Sequence, residues 1–278
     1  VSAEGADSTV YEHGLLTVPD TSETDGGSFQ VSASDGIKEV VIGGATFSLA
    51  QLQDAGYLAA HTVNTGEGTL TLTGYSSSDD KSATITYSYT LAAAQEHGLP
   101  GNDSLTDSVG VTVNGVGGSS DSANLSISII DDIPVATGDG TQTVTEDGNG
   151  TTTLQTVTGG VLGNDSYGAD GANVDAGTAF SWDANTAAKA ALATYGTLTL
   201  GSDGTYTFTL DNSSAAVQGL TSSSVIEQTL TYTITDHDGD TSPASVTIRI
   251  VGANDSAQVT VSAEGADSTV YEHGLLTV

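Results

Sequence analysis

The sequence predicts an all-β protein built from tandem β-sandwich domains in an end-to-end array. Three observations carry this prediction: a long internal repeat, short strands in which apolar residues alternate with threonine, and acidic segments at the predicted domain junctions. The 278 residues suffice for about two domains. Helical periodicity is scarce, and only 187–193 and 213–220 are predicted as short helices.

The internal repeat is the strongest signal in the sequence. Residues 1–18, VSAEGADSTVYEHGLLTV, recur letter for letter at 261–278, which sets the period at 260 residues. Such identity indicates recently copied units, so we expect the chain to be part of a longer array. Additional copies of a repeat lengthen a stalk-like protein, whereas they add little to the activity of an enzyme. The repeat therefore favours a structural function over an enzymatic one.

Each half of the period ends in a hydrophobic strand followed by a short acidic junction. The first junction is Asp131-Asp132 and the second is Asn254-Asp255. The sequence therefore predicts an immunoglobulin-like domain at 1–132, a second domain at 133–254, and at 255–278 the first strand of the next repeat.

Strand patterns fill both halves. Residues 198–200 and 206–210 alternate apolar side chains with threonine around Asp203-Gly204, which is typical of a β-hairpin. The same alternation predicts strands at 85–91, 109–113, 125–129, 230–234 and 246–250. Threonine-rich strands joined by Gly, Asp, Asn and Ser turns are typical of antiparallel sandwiches of the immunoglobulin kind.

The charge balance excludes several classes of partner. The chain has 35 acidic and four basic residues, a net charge of −31, and no cysteine. Nucleic acids and anionic membrane surfaces both require Lys and Arg, so neither is an expected partner. No apolar run is long enough to insert into a membrane, and no signal peptide opens the sequence. Without cysteine the chain has neither disulfides nor thiolate metal sites. We therefore predict a folded protein in which bound cations relieve the repulsion among its acidic side chains.

The sharpest candidate for a cation site is the segment 236–240, Asp-His-Asp-Gly-Asp. Asp236, Asp238 and Asp240 alternate, and Gly239 permits a tight bend that turns the three carboxylates toward one point. The segment resembles the start of an EF-hand loop but lacks the later glutamate and the flanking helices, so that assignment is rejected. The alternative is an exposed acidic hairpin loop without an ion.

Topology predicts that further acids converge on the same point. In a seven-stranded sandwich the loop before the last strand lies beside the incoming linker, here Asp131 and Asp132. Asp165, with Asn164 and Asp170, follows the second strand of that domain, and Glu12 follows the first strand of the preceding one. Calcium takes six to eight oxygen ligands from such groups.

The second junction is predicted to repeat this arrangement, with Glu146 in the place of Glu12 and Asn254-Asp255 in the place of Asp131-Asp132. The complete set of predicted calcium ligands is Glu12, Asp131, Asp132, Glu146, Asp165, Asp236, Asp238, Asp240, Asn254 and Asp255. The matching loop of the first domain, 117–121, keeps one acid, so calcium is not expected at the N-terminal end of that domain.

At these residues the sequence resembles a known family. The run 195–255, with GTLTLGSDGTYTFTL and TLTYTITDHDGDTSPASVTIRIVGAND, is similar to a VCBS-type repeat. The first domain, with ATFSLAQL, ATITYSYTL and SANLSISIIDDIPVATGDG, is similar to the long repeats of type I secreted RTX adhesins. The resemblance implies cadherin-like or immunoglobulin-like extenders, stiffened by calcium, on the outer-membrane surface of Gram-negative bacteria in cell adhesion and biofilm formation. It carries the ligand role onto Asp131, Asp132, Asp236, Asp238 and Asp240, and onto Glu12, Glu146 and Asp165.

An enzyme and a ligand-binding module are the two alternatives to a structural repeat. An enzyme is not predicted, because the five histidines lack metal-ligand spacing and no G-x-S-x-G motif singles out a serine. A multivalent carbohydrate- or protein-binding module is the alternative, with Trp182 beside Phe180 as its candidate contact. A core position is the competing interpretation of Trp182. We expect the partners to be neighbouring repeats in a monomeric rod, with the adhesive target bound elsewhere in the full protein.

Overall fold

The computed structural model describes residues 7–16, 20–98, 101–147, 155–174, 177–257 and 259. Strands dominate these residues, so the all-β prediction is confirmed. None of the helices among them has the length and apolarity to cross a membrane. The predicted strand of the next repeat falls outside the described residues, apart from 255–257 and 259.

The first half of the chain forms two sheets that face each other. Its strands are β1 (Ser8–Tyr11), β2 (Thr24–Ser32), β3 (Ile37–Ile42), β4 (Ala45–Ser48), β5 (Thr62–Asn64), β6 (Gly68–Ser77), β7 (Ser82–Leu91), β8 (Ser104–Gly115) and β9 (Ser120–Ile130), with helices α1 (Leu49–Leu52) and α2 (Ala55–Ala60). One sheet has the order β1-β9-β8-β3-β4 and the other β2-β7-β6-β5. A 3-10 turn, Glu12–Leu15, follows β1.

The second half forms a seven-stranded sandwich. Its elements are β10 (Gly140–Thr145), β11 (Thr156–Gly160), β12 (Phe180–Trp182), α3 (Thr186–Ala193), β13 (Gly196–Leu200), β14 (Thr205–Leu210), β15 (Val225–Thr235) and β16 (Thr241–Val251). The sheets have the orders β10-β16-β15-β12 and β11-β14-β13. The predicted hairpin is confirmed as the pair β13 and β14, and the predicted last two strands as β15 and β16.

Two hydrophobic cores fill the sandwiches. One extends from Val10 to Ile129 and the other from Val144 to Ile250. Alternation places every second residue inward, as on β16, where Val246, Ile248 and Ile250 are fully buried. Each core lies within one predicted domain, and the predicted boundaries stay a prediction.

Parallel pairing of the first and last strands fixes what lies at the end of each sandwich. β1 pairs in parallel with β9, with Tyr11 opposite Ile130 as the final pair. The next residues, Glu12 and Asp131, therefore leave neighbouring strands side by side. In the second half β10 pairs in parallel with β16 in the same way, and the pairing ends at Thr145.

The helix predictions had mixed outcomes. The helix at 187–193 is confirmed as α3, whereas the helix at 213–220 is wrong, because that segment forms turns. There Asp211 Oδ1 accepts hydrogen bonds from the backbone N–H and hydroxyl of Ser213, an alternative to helical bonding. The short helices α1 and α2 were missed, although Ser48-x-x-Gln51 forms a capping box at the start of α1.

Trp182 packs against the second core, which confirms the core interpretation. Its ring meets those of Phe180, Tyr206 and Tyr232 edge-on, with centroids 5.5, 6.4 and 5.8 Å away. Its indole N–H donates to the carbonyl oxygen of Gly201 at 3.0 Å. The ring therefore serves the fold, and the candidate contact for a carbohydrate or protein ligand loses its support.

A tyrosine hydroxyl holds the segment that follows the first junction. The hydroxyl of Tyr232 lies 3.2–3.3 Å from four acceptors: the carbonyls of Thr137 and Val161 and the carboxylates of Asp139 and Asp165. Burial raises the pKa of Asp139, and the nearby charge of Asp165 acts in the same direction. This hydroxyl is the donor among these oxygens, so it ties 137–139 and 161–165 to β15.

We expect Tyr232→Phe to destabilise the protein by about 1–3 kcal/mol, because the substitution removes the donor that the buried Val161 carbonyl and three less buried acceptors share. The free energy of unfolding, measured by urea titration, tests this expectation. An unchanged free energy of unfolding would show that the hydroxyl does not stabilise the segment.

Candidate metal centre

Seven carboxylates and one imidazole meet where the residues before and after the first junction come together. We call this set the junction cluster; its members are Glu12, His97, Asp131, Asp132, Asp170, Asp236, Asp238 and Asp240. Their side-chain ligand atoms form four overlapping groups, and within each group all the atoms lie within 4.8 Å of one another.

The four groups share members. They are Glu12 with His97 and Asp131; Glu12 with Asp131, Asp132 and Asp170; Asp131 with Asp238 and Asp240; and Asp170 with Asp236 and Asp238. Asp131 belongs to three of them. The linker aspartate is therefore the centre of the cluster, with donors from the first half on one side and from the second half on the other.

Backbone contacts set the linker acids in place. Asp131 donates its N–H to the carbonyl oxygen of Asp103 at 3.2 Å. Asp132 accepts the N–H of Ala169 on both carboxylate oxygens at 3.0 Å. Gly168 has φ +78°, and a Cβ there would lie 2.6 Å from Asp132 Oδ1. A glycine at 168 is thus required for the linker to approach this loop closely.

The loop between β15 and β16 turns its acids to the same centre. Asp236 Oδ1 accepts from the N–H of Gly239 at 3.1 Å and of Asp240 at 2.6 Å. Gly239 has φ +110°, which supplies the bend expected from the sequence. Across the junction, Gly101 donates its N–H to Asp240 Oδ1 at 2.6 Å. This hydrogen bond joins the segment before β8 to the loop of the second sandwich.

Buried carboxylate oxygens without partners are the main feature of the cluster. Glu12 and Asp236 are fully buried, and Asp131 and Asp240 are 2% and 4% exposed. Seven oxygens here are buried with no hydrogen-bond partner in the part of the chain that the structure describes: Glu12 Oε2, Asp131 Oδ1 and Oδ2, Asp170 Oδ2, Asp236 Oδ2, Asp238 Oδ1 and Asp240 Oδ2. Among the described residues, His97 is the one cationic group that forms an ion pair with a carboxylate of the cluster. Such burial is costly unless a cation compensates it.

Three acids of the cluster have raised pKa values. Burial raises the pKa of Asp131 to about 7, and Asp238, Asp170 and Glu12 act in the same direction against His97. Burial likewise raises the pKa of Asp170 to about 7 and, together with neighbouring Asp238, that of Asp236 to about 8. A bound cation would replace these protons.

The donor set fits calcium. Seven carboxylates supply oxygen ligands from several loops, which is the ligand type and number that Ca²⁺ takes. No cysteine is present to favour a soft metal. The groups centred on Asp131, Asp132, Asp170 and 236–240 would hold the ion, and its charge would neutralise the unpartnered oxygens.

Most of the ligands predicted for the first junction are brought together, namely Glu12, Asp131, Asp132, Asp236, Asp238 and Asp240. Asp165 is not brought into the cluster. Its Oδ1 accepts the N–H of Thr137 at 2.7 Å, because the bridge between Val135 and Ser166 turns it toward Tyr232. Asp170, five residues later, reaches the cluster in its place.

His97 lies in the cluster although it was not predicted as a ligand from the sequence. Its side chain is fully buried, and Nε2 lies 3.3 Å from Glu12 Oε1. Burial alone would lower the pKa of His97, but Asp103, Asp131 and Glu12 together raise it. The position of His97 in the chain could have indicated its role, because the connection between β7 and β8 ends at the same edge of the sandwich as Glu12.

The second junction repeats one part of this arrangement. Glu146, directly after β10, is 2% exposed; Oε2 accepts from Ala253 N–H at 2.9 Å, while Oε1 is buried without a partner. Asn254 Oδ1 accepts from Ser222 N–H at 2.9 Å, and Asp255 is exposed. Within the described ranges these residues form no metal-ligand group, so the second site stays a prediction.

Calcium-free protein is expected to lose stability as the pH rises from about 4 to about 8. Asp131, Asp170 and Asp236 have raised pKa values, so the folded state binds more protons than the unfolded state in that range. Urea unfolding at a series of pH values, with chelator, measures the trend. Saturating calcium should remove it, because the ion replaces the protons.

The matched control is Asp131→Asn, which removes one of the titrating groups and should flatten the pH dependence. If stability in chelator instead rose between pH 5 and pH 8, the acids would not carry the excess protons that their burial implies.

Among the comparisons with known proteins, one family model matches part of this chain. The bacterial cadherin-like domain family matches residues 131–252. A search among curated proteins found no match. Three solved structures illustrate the similarity: mouse clustered PcdhgC3 EC1-3 at 14% identity and TM-score 0.30, zebrafish RET cadherin-like domains 1 to 4 at 11% and 0.25, and the human desmocollin-1 ectodomain at 10% and 0.28.

The matches to these structures span 90%, 82% and 90% of this chain and 66%, 42% and 39% of theirs, so the chain spans less than two thirds of their length. At such TM-scores they carry no argument of their own. The family match carries the conclusion: residues 131–252 are similar to a bacterial cadherin-like domain, which supports a cadherin-like repeat in this all-β chain.

Proposed function

We propose that this chain is a structural extender repeat of a bacterial cell-surface adhesin. In this proposal calcium in the junction cluster fixes one sandwich to the next, and the array projects an adhesive domain located elsewhere in the full protein. The observation that carries the proposal is the set of seven buried, unpartnered carboxylate oxygens contributed from both sides of Asp131.

The physical mechanism is charge neutralisation across the junction. Like charges a few ångströms apart repel by about 1 kcal/mol per pair even in water, and more strongly when buried. Without a cation, this repulsion opposes contact between Glu12 on one side and Asp170 or Asp238 on the other. A bound calcium ion reverses the sign of the interaction, because each ionised carboxylate then attracts the shared ion. The result is a stiff junction with calcium and a loose one without it.

Calcium concentration would control this stiffness. Extracellular calcium modules bind with dissociation constants of about 10⁻⁴–10⁻³ M, so cytosolic calcium would leave such a site empty. A site held at a hundredfold excess over its dissociation constant adds about 2.7 kcal/mol of stability. Export by type I secretion in a loose state, followed by stiffening outside the cell, is consistent with this range and with the sequence resemblance to RTX adhesins.

The environment of the acids supports a non-catalytic role. The carboxylates of the junction cluster face one another and are buried, and the histidine of the cluster is bonded to Asp103 and Glu12. In the proposed function the partners are neighbouring repeats of the same chain in a monomeric rod at the bacterial cell surface, where adhesion supports biofilm formation. The bacterial cadherin-like match at 131–252 supports an extracellular adhesion-type repeat.

Small-angle X-ray scattering tests the proposed stiffening. With millimolar calcium we expect a single extended arrangement of the two sandwiches, and with excess chelator, at equal ionic strength, the profile of a flexible pair. If the two curves superimpose, calcium does not set the shape, and a carbohydrate or protein ligand screen becomes the next experiment.

Asp131→Asn should weaken calcium binding and abolish the calcium-dependent change in scattering, because Asp131 belongs to three of the four groups. Calorimetric calcium titration and scattering on the same samples measure both effects. The matched control is Asp54→Asn: Asp54 is an exposed N-cap of α2, and asparagine caps a helix equally well, so the variant loses the same charge without entering the cluster. Equal calcium binding by the two variants would contradict the assignment of Asp131.

A further inference from the structure

We infer that the junction cluster contains a position for a transition-metal dication, formed by His97, Glu12 and Asp131 and adjacent to the all-oxygen groups. This inference rests on the proposed function, because the position belongs to the same junction that is proposed to bind calcium. The chemical class of the ion is that of Zn²⁺, which accepts imidazole and carboxylate ligands together.

The first observation is the orientation of the imidazole. The His97 side chain is fully buried, and its Nδ1 is hydrogen-bonded to Asp103 Oδ1. A carboxylate oxygen accepts, so Nδ1 donates and Nε2 is directed into the cluster. Metal-binding histidines have this arrangement: one ring nitrogen binds the ion while the other donates to a carboxylate that fixes the ring.

The second observation is the spacing of the donor atoms. His97 Nε2 lies 3.3 Å from Glu12 Oε1, and the group that they form with Asp131 has all its ligand atoms within 4.8 Å of one another. Zinc–ligand bonds of about 2.0–2.1 Å in a tetrahedron place neighbouring ligand atoms about 3.3–3.4 Å apart. The imidazole and the Glu12 carboxylate already have that separation.

The third observation is the lack of partners on the carboxylates that complete this group. Both oxygens of Asp131 and Oε2 of Glu12 are buried without a hydrogen-bond partner. Asp131 is 2% exposed and Glu12 fully buried, so bulk water does not reach them. One oxygen of each carboxylate lies within 4.8 Å of a ring nitrogen of His97, and a cation there would compensate their charge.

The donor chemistry separates this position from its neighbours. Glu12, Asp131, Asp132 and Asp170 offer only oxygen, which suits calcium, whereas the group with His97 offers a nitrogen that calcium sites do not use. Three protein ligands leave the fourth zinc position for water. Glu12 and Asp131 belong to both groups, so the two ions would share ligands.

The test is a calorimetric titration of the calcium-saturated protein with Zn²⁺, repeated with Co²⁺ and followed by visible absorption, which reports an imidazole-containing coordination sphere. We expect one ion bound per junction in the presence of excess calcium. His97→Gln should abolish this binding, and Asp103→Asn, which replaces the orienting carboxylate by a neutral and weaker acceptor, should weaken it about 10- to 100-fold. The matched control is His61→Gln, which should have no effect, because His61 is exposed and stacked on Tyr57.

Two results would overturn the inference: no Zn²⁺ binding by the wild-type protein in excess calcium, or equal binding by wild type and His97→Gln. In either case Nε2 only donates to Glu12, while Nδ1 donates to Asp103. Circular dichroism checks the fold of each variant, and Asp103→Asn provides a second variant that keeps the ring. Scattering separates the two proposals: a calcium-dependent shape without zinc binding overturns only this inference, whereas a calcium-independent shape overturns the proposed function and leaves the zinc titration as its own result.

Discussion

The parallel pairing of first and last strands is the constraint on which the junction depends. Because β1 runs beside β9 in the same direction, the residues that follow the two strands emerge together, and Glu12 meets Asp131. An antiparallel pair would place these residues at opposite ends of the sheet. The pairing of β10 with β16 repeats the arrangement for Glu146. A single rule of strand order thus brings acids to the C-terminal end of each sandwich.

The fold that positions the junction acids is stabilised by other residues. Each sandwich has its own core, so the free energy of folding comes from burial of residues such as Phe208 and Ile127 rather than from the ends. The carboxylates oppose folding when they are ionised and alone. This separation would let the junction respond to cations while the sandwiches remain folded, as the proposed extender function requires.

The strands and loops that could be predicted from the sequence are those with a residue pattern inside one short segment. Alternation at 206–210 and 230–234 identified strands, and the spacing of Asp236, Asp238 and Asp240 identified their loop. His97 could not be found in this way, because a single histidine in an irregular connection has no period and its role depends on where the chain returns. The choice between Asp165 and Asp170 likewise depends on one bridge, between Val135 and Ser166, that has no signature in the sequence.

The sharing of Asp131 among three groups has a thermodynamic consequence. An ion in any one group removes the proton from Asp131 and fixes its carboxylate, so the next ion meets a ligand that is already ionised and ordered. The ions also repel one another, but the excess of carboxylates over cations weakens that opposition. Occupancy should therefore be cooperative, rising more steeply with calcium concentration than a set of independent sites would. If calcium binds as proposed, the junction would switch near a threshold concentration, and an array of such junctions would pass from flexible to stiff over a narrow interval of calcium concentration.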